Sequence, residues 1–181
     1  MITTLFGKRK ISEDKLSNVF VNAVLRLTEQ GYPTIVDELR ESPEFETTPV
    51  FGPGDDELFA LIVFAGNLME APKRLPAGTD HRLVQHAFSK FAPLLDYSAA
   101  ELESETKALQ EFMAKINHPS KNTVYAMSKA VFHKYDLFRH QNVYFREQRA
   151  PNPIVLGRVN KLMAFCLWDW AELIEEWKVT A

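Results

Sequence analysis

The sequence predicts an all-α fold, a single-domain bundle of roughly six or seven helices around a buried central helix at about Asp55 to Met69. Three observations predict it. Eight apolar residues run unbroken from Leu58 to Ala65 behind the acidic opening Asp55-Asp56-Glu57. Amphipathic stretches of helical period flank this run, separated by short segments that hold Pro, Gly and Asn. No stretch shows the convincing alternation of a half-buried strand.

The central stretch reads as helix on its flanks and its length. Asp55 is a good N-cap, and Asp56 and Glu57 place negative charge where the helix dipole is positive. The apolar character continues through Leu68 and Met69 towards Pro72, too far for one ordinary strand. A membrane span needs about 20 apolar residues, and this run falls short. It is therefore expected inside a protein core, covered by the other helices.

Before it, Ser12 caps a helix with Leu16, Val19, Phe20, Ala23, Val24 and Leu27 on one face and Gly31 as its stop. Tyr32-Pro33 resets the direction, and Thr34 to Arg40 forms a short second helix. The segment from Glu44 to Gly54 reads as an extended loop with at most a short edge strand. After the central helix, Ala71 to Gly78 is a connection. Thr79 or Asp80 then caps a helix bearing Leu83, Val84, Ala87, Phe88 and Phe91, which ends near Pro93. Ser98-Ala99-Ala100-Glu101 is a capping box ahead of the stripe Leu102, Thr106, Leu109, Met113 and Ile116. Asn117-His118-Pro119 stops that helix. Ser120 opens the longest one, to about Gln148, and Asn152-Pro153 starts the last, to about Lys178.

The chain has 181 residues, which suits one core. The expected organisation is a flexible segment over 1–11 and a helical domain over 12–178. Thirteen Phe within 46% hydrophobic residues supply enough apolar area to offset ordering entropy without disulfides or a structural metal. Cys166 is the single cysteine, which excludes an intrachain disulfide and a cysteine-based zinc cluster. Met1 to Phe6 is too short for the apolar part of a signal peptide, and Lys8-Arg9-Lys10 follows it where it should precede. A cytoplasmic protein is expected, with no transmembrane segment. Leu5-Phe6 beside those bases could touch a membrane surface only weakly.

Charge is segregated along the chain although the net is only −3. From Glu29 to Glu70 there are ten acids and one base, and from Lys115 to Lys161 nine bases and two acids. The two blocks either face each other or form partner surfaces. On the expected helix from Ser120 to Gln148, Lys129, Lys134, Arg139, Arg146 and the neighbouring Arg149 give a basic face that could bind another protein. The same helix would align His133, Asp136, His140 and Glu147, the ligand types of a transition metal site. One helix supplies only part of a shell, and no Glu-x-x-His or His-Glu-x-x-His motif is present. A solvated face with local ion pairs accounts for the same residues.

Other candidates are weaker. Gly52-Pro53-Gly54 precedes a helix, but three acids occupy the place of an anion and no Walker lysine follows. Cys166 sits on an apolar stripe as a small core residue. Nucleic acid binding is disfavoured by a sequence pI of about 6.0. Trp168, Trp170 and Trp177 with Phe165 spread apolar surface around the last helix, which suits either a homodimer or burial between neighbours. A small apolar ligand between the central and last helices is a further possibility. No catalytic motif and no cofactor is implied. The functional expectation is a non-enzymatic interaction or regulatory protein using charged helix faces, with a metal-dependent helical protein as the alternative.

Overall fold

A computed structural model describes residues 8–180. The elements, in chain order, are β1 (Arg9–Ser12), α1 (Glu13–Glu41), α2 (Asp55–Arg74), α3 (Thr79–Phe91), α4 (Ala99–Asn117), α5 (Thr123–Lys134), α6 (Val143–Gln148), α7 (Pro153–Phe165), α8 (Trp170–Glu176) and β2 (Trp177–Thr180). The architecture is all-α, as predicted, with one small two-stranded parallel sheet of β1 and β2. Among the described residues no helix is long and apolar enough to cross a membrane.

The core is built around α2, which contacts α1, α3, α4, α5 and α8. Phe59, Ile62, Val63, Phe64, Ala65 and Asn67 are all fully buried, so the helix is enclosed on every side. This is the expected central helix, extended past Met69 through Pro72 to Arg74. Its start differs from expectation. Gly54, in a left-handed conformation at φ 84°, takes the N-cap position, and the Asp55 carboxylate instead accepts from the Gly52 N–H at 2.7 Å.

The N-terminal region corrects the sequence reading most clearly. One helix of 29 residues, capped by Ser12, runs straight through Gly31 and Pro33. Buried Ile35 and Leu39 continue the buried stripe of Leu16, Phe20, Val24 and Thr28 in phase. Burying Ile35, Val36 and Leu39 contributes about 1.5–3 kcal/mol each, which outweighs the ~3 kcal/mol cost of an interior proline on an exposed face. Gly31 acts as a packing residue: a Cβ there would lie 2.9 Å from Cys166 Sγ and 3.4 Å from Phe59. In the 1–11 segment expected to be flexible, Arg9 to Ile11 pair with β2; residues 1–7, Leu5-Phe6 included, lie outside the described residues.

Local signals further along are confirmed. The Ser98–Glu101 capping box is formed in both directions, and Asn152 with Pro153 opens α7. Pro93 falls in a 3-10 turn, Ala92–Leu95, that ends α3. Gly78, not Thr79 or Asp80, occupies the N-cap position of α3.

Two long helices expected near the C-terminus are broken. The chain leaves α5 through Asp136, left-handed at φ 49°, makes a 3-10 turn over Leu137–His140, and restarts as α6 under an Asn142 cap. Fully buried Gln141 holds the break by donating to the Ala150 carbonyl and accepting from the Asn152 N–H. Phe45 forms a single antiparallel bridge to Gln141, the only strand-like pairing of the 44–54 loop among the described residues. α7 likewise stops at Phe165 and does not continue to Lys178. Asp169 then caps α8 by accepting from the Ala171 and Glu172 N–H groups. The turn between them is held from the core by Asn67, which donates to the Cys166 carbonyl and accepts from the Trp168 N–H.

Candidate functional site

The break after α5 dissolves the single charged face that the sequence predicts. Lys129 and Lys134 remain on α5, Arg139 lies in the 3-10 turn, Arg146 is on α6, and Arg149 is the left-handed residue that ends α6. Most are turned to local use. Lys129 Nζ donates to Asn117 Oδ1 at 3.1 Å and to the Ile116 carbonyl at 3.4 Å, neutralising the negative end of α4. Lys134 Nζ stands 5.1 Å over the Phe112 ring. Arg139 lies 3.7 Å from Asp136 and donates to His140 Nε2, and Arg146 lies 3.7 Å from Glu46.

The candidate metal ligands are separated by the same break. His133 is half-buried between Phe112 and Phe138, with ring centroids at 5.5 and 4.7 Å. His140 points to the 44–54 loop, its Nδ1 2.8 Å from Thr47 Oγ1, while Asp136 is paired with Arg139 and Glu147 is exposed. Among the described residues no three His, Cys, Asp or Glu side chains come together in a group able to hold a metal ion. Burial lowers the pKa of both histidines. The positive charges of Arg149 and Lys129 add to this at His133, and Arg139 does so at His140.

Among the described residues, the ion pairs that join the acidic and basic blocks cluster at the 44–54 loop and the end of α1. Arg158 on α7 makes a two-pronged contact with Glu44, both N–O distances 2.9 Å, and reaches Glu38 at 3.3 Å. With Arg146 and Glu46, this ties the 44–54 loop and the end of α1 to the C-terminal helices. Part of the charge segregation is therefore consumed inside the fold.

Charge is left over on both sides: among the described residues no ion pair reaches the exposed Lys115, Lys121, Arg149 and Lys161 of the basic block, and several acids are likewise unpaired. A cleft of about 430 Å³ opens between the middle of α1, the first turn of α2 and the Ala92–Leu95 turn. Glu29, Asp56 and Glu57 line it, all exposed, and no ion pair reaches any of them among the described residues. Leu25, Tyr32, Ala60, Leu94 and Leu95 supply apolar walls, and Leu94 is 53% exposed at the edge. Burial and then the charges of Asp55 and Asp56 push the Tyr32 hydroxyl to a higher pKa, as expected in a negative potential. Thr28 also lines the cleft; it is 8% exposed, and its Oγ1 is buried without a hydrogen-bond partner.

The acidic block was visible in the sequence, but its apolar companions were not. Leu25 and Tyr32 are seven apart and share a helix face, a signal available only once α1 is known to continue past Gly31. Leu94 follows a proline and carries no periodic pattern.

Other openings are less distinctive. A groove of about 390 Å³ between α1 and α7 is lined by Leu27, Gly31, Leu162 and Phe165, the last 77% exposed. Between α2 and the α7–α8 turn the opening is about 100 Å³, beside Glu70, Arg74 and Trp170. The tryptophans expected to spread apolar surface outward are partly absorbed: Trp170 is buried, and Trp168 and Trp170 pack on Phe20 with centroids at 5.3 and 5.1 Å.

The chain shows no significant match to any protein-family model, curated protein or solved structure.

Proposed function

We propose that this chain is a non-enzymatic interaction protein that engages another protein through its charged surface, with the acidic side making the contact. The acidic cleft carries this reading, because Glu29, Asp56 and Glu57 line an open cavity beside the exposed Leu94 without an ion pair among the described residues. Unpaired charge beside exposed leucine suits a partner of complementary charge, because such charges steer encounter and select partners while apolar area supplies affinity. The same carboxylates repel phosphate, so nucleic acid is not the partner proposed. A cytoplasmic setting belongs to the proposal, supported by a single cysteine.

The test is crosslinking in cells followed by reciprocal purification. A protein partner whose association weakens as ionic strength rises is expected. Recovery of the chain alone, with native mass spectrometry showing a retained metal or organic molecule, would overturn the reading.

Phe165 favours a second reading, a homodimer. A phenyl ring left 77% exposed on α7 beside an apolar groove is costly in water unless covered. Sedimentation of wild type and Phe165→Ser over a range of concentrations tests it; a monomer at every concentration of the wild type would remove it.

A further inference from the structure

We infer that the face formed by α1 and α7 binds a second copy of this chain, with α7 of each copy lying on α1 of the other. The inference rests on the homodimer reading above and adds the face, the pairing of helices and the contacts that set it. The two helices run antiparallel: Arg158 meets Glu38 at 3.3 Å, while a Cβ on Gly31 would lie 2.9 Å from Cys166 Sγ. On the outer side of α1, Gln30, Thr34, Asp37 and Glu41 follow one another at helical spacing, and all are exposed. On the outer side of α7, Ile154, Lys161 and Phe165 do the same, and Gly157 among them faces open space.

This face is complementary to itself, which is what a twofold interface requires. Phe165 is a knob, and the groove of about 390 Å³ beside it, walled by Leu27, Thr34 and Leu162, is a hole. Among the described residues no ion pair reaches Asp37, Glu41 or Lys161, so the α1 edge offers unpaired acid and the α7 edge an unpaired base. A twofold axis along the groove sets each α7 against the other copy's α1. The register of Arg158 with Glu38 and Cys166 with Gly31 then puts Lys161 level with the stretch from Thr34 to Asp37 in the other copy, and Phe165 level with its groove. The result is a four-helix layer in which every neighbour is antiparallel. Laying α7 on α7 instead would bring Lys161 near its own copy, a like-charge contact that selects against that arrangement.

Sedimentation equilibrium of the full chain tests the pairing with two charge reversals, Lys161→Glu and Asp37→Lys/Glu41→Lys. Each variant alone sets like charges together twice per dimer and should weaken dimerisation about tenfold or more. Mixed in equal amounts, the two variants oppose Glu to Lys at both contacts, so a heterodimer within about threefold of the wild-type affinity is expected. A second measurement does not depend on the reversals. In a Cys166→Ala background, a short bis-maleimide should join a Thr34→Cys chain to a Lys161→Cys chain in preference to joining either chain to itself. A dimer indifferent to both reversals, or cysteine chains joined mainly to themselves, would overturn the pairing and leave the homodimer reading standing. A wild type that stays monomeric at every concentration removes both.

Discussion

Asn67 on α2 and Trp168 beyond the end of α7 are joined by a hydrogen bond of 2.8 Å from the Trp168 N–H to Asn67 Oδ1. The same carboxamide donates to the Cys166 carbonyl at 2.8 Å and to the Val63 carbonyl at 2.9 Å. A fully buried side chain on the central helix thus satisfies backbone groups that the end of α7 leaves open. The last long stretch of the chain turns here because the core offers it hydrogen bonds.

Replacing Asn67 by Ala should destabilise the protein by about 2–4 kcal/mol, because the Trp168 N–H and the Cys166 carbonyl both lose their partner away from bulk water. Urea denaturation of wild type and variant measures it. A loss below about 0.5 kcal/mol would mean that water replaces the carboxamide at little cost.

Gly31 and Cys166 give a second test. In an open helix, Gly→Ala gains about 1 kcal/mol of propensity. At Gly31 the added methyl would sit 2.9 Å from Cys166 Sγ, so a net loss of about 1–3 kcal/mol is expected. Cys166→Ala in the same chain should restore most of it, giving a coupling energy of about 1 kcal/mol or more in a double-mutant cycle. Additive effects would show that the contact is not what excludes a side chain at Gly31.

These contacts explain which parts of the fold were legible. Ser12, the Ser98–Glu101 box and Asn152-Pro153 act through neighbours a few residues away, so their caps could be read directly. The central helix was legible because eight consecutive apolar residues leave little choice but burial. Gly31 and Pro33 misled because they are local breakers overridden by Ile35 and Leu39, whose burial depends on other elements. The break after α5 was hidden for a related reason. Val124, Met127, Val131 and Phe138 keep helical spacing across it, while the groups that hold it, Gln141 with Ala150 and Asn152, become neighbours only in the folded chain. At the candidate site the charges were legible and their pairing was not: Arg158 finds Glu44 across 114 residues.

Cys166 should be nearly inert in the native state. It is 2% exposed, and burial pushes its thiol up to about 11, so little thiolate forms near neutral pH. A thiol reagent is expected to label the unfolded chain promptly and the folded chain only as fast as it opens. Prompt labelling of the folded chain would indicate that α7 frays around Cys166.

The two histidines near the broken helix should make stability fall on mild acidification. His133 and His140 both have folded pKa values below the ordinary 6.5, so in this range the unfolded chain binds more protons than the folded one. Their full contribution is therefore present above about pH 6.5 and is lost as pH falls from there through the folded values. At His140 the cause is specific as well as general. Nε2 accepts from Arg139 at 3.1 Å, leaving Nδ1 to donate to Thr47, so a second proton would have to sit against a guanidinium. Glu13, Glu101 and Glu103 also have lowered pKa values, but their contributions are lost only below their ordinary value of 4.5. Urea midpoints should therefore drop between about pH 7.5 and about pH 5.5, before any carboxylate effect, and His133→Gln/His140→Gln should flatten that slope. A wild-type midpoint constant over this range would show that both rings accept a proton in the folded state as readily as in the unfolded one.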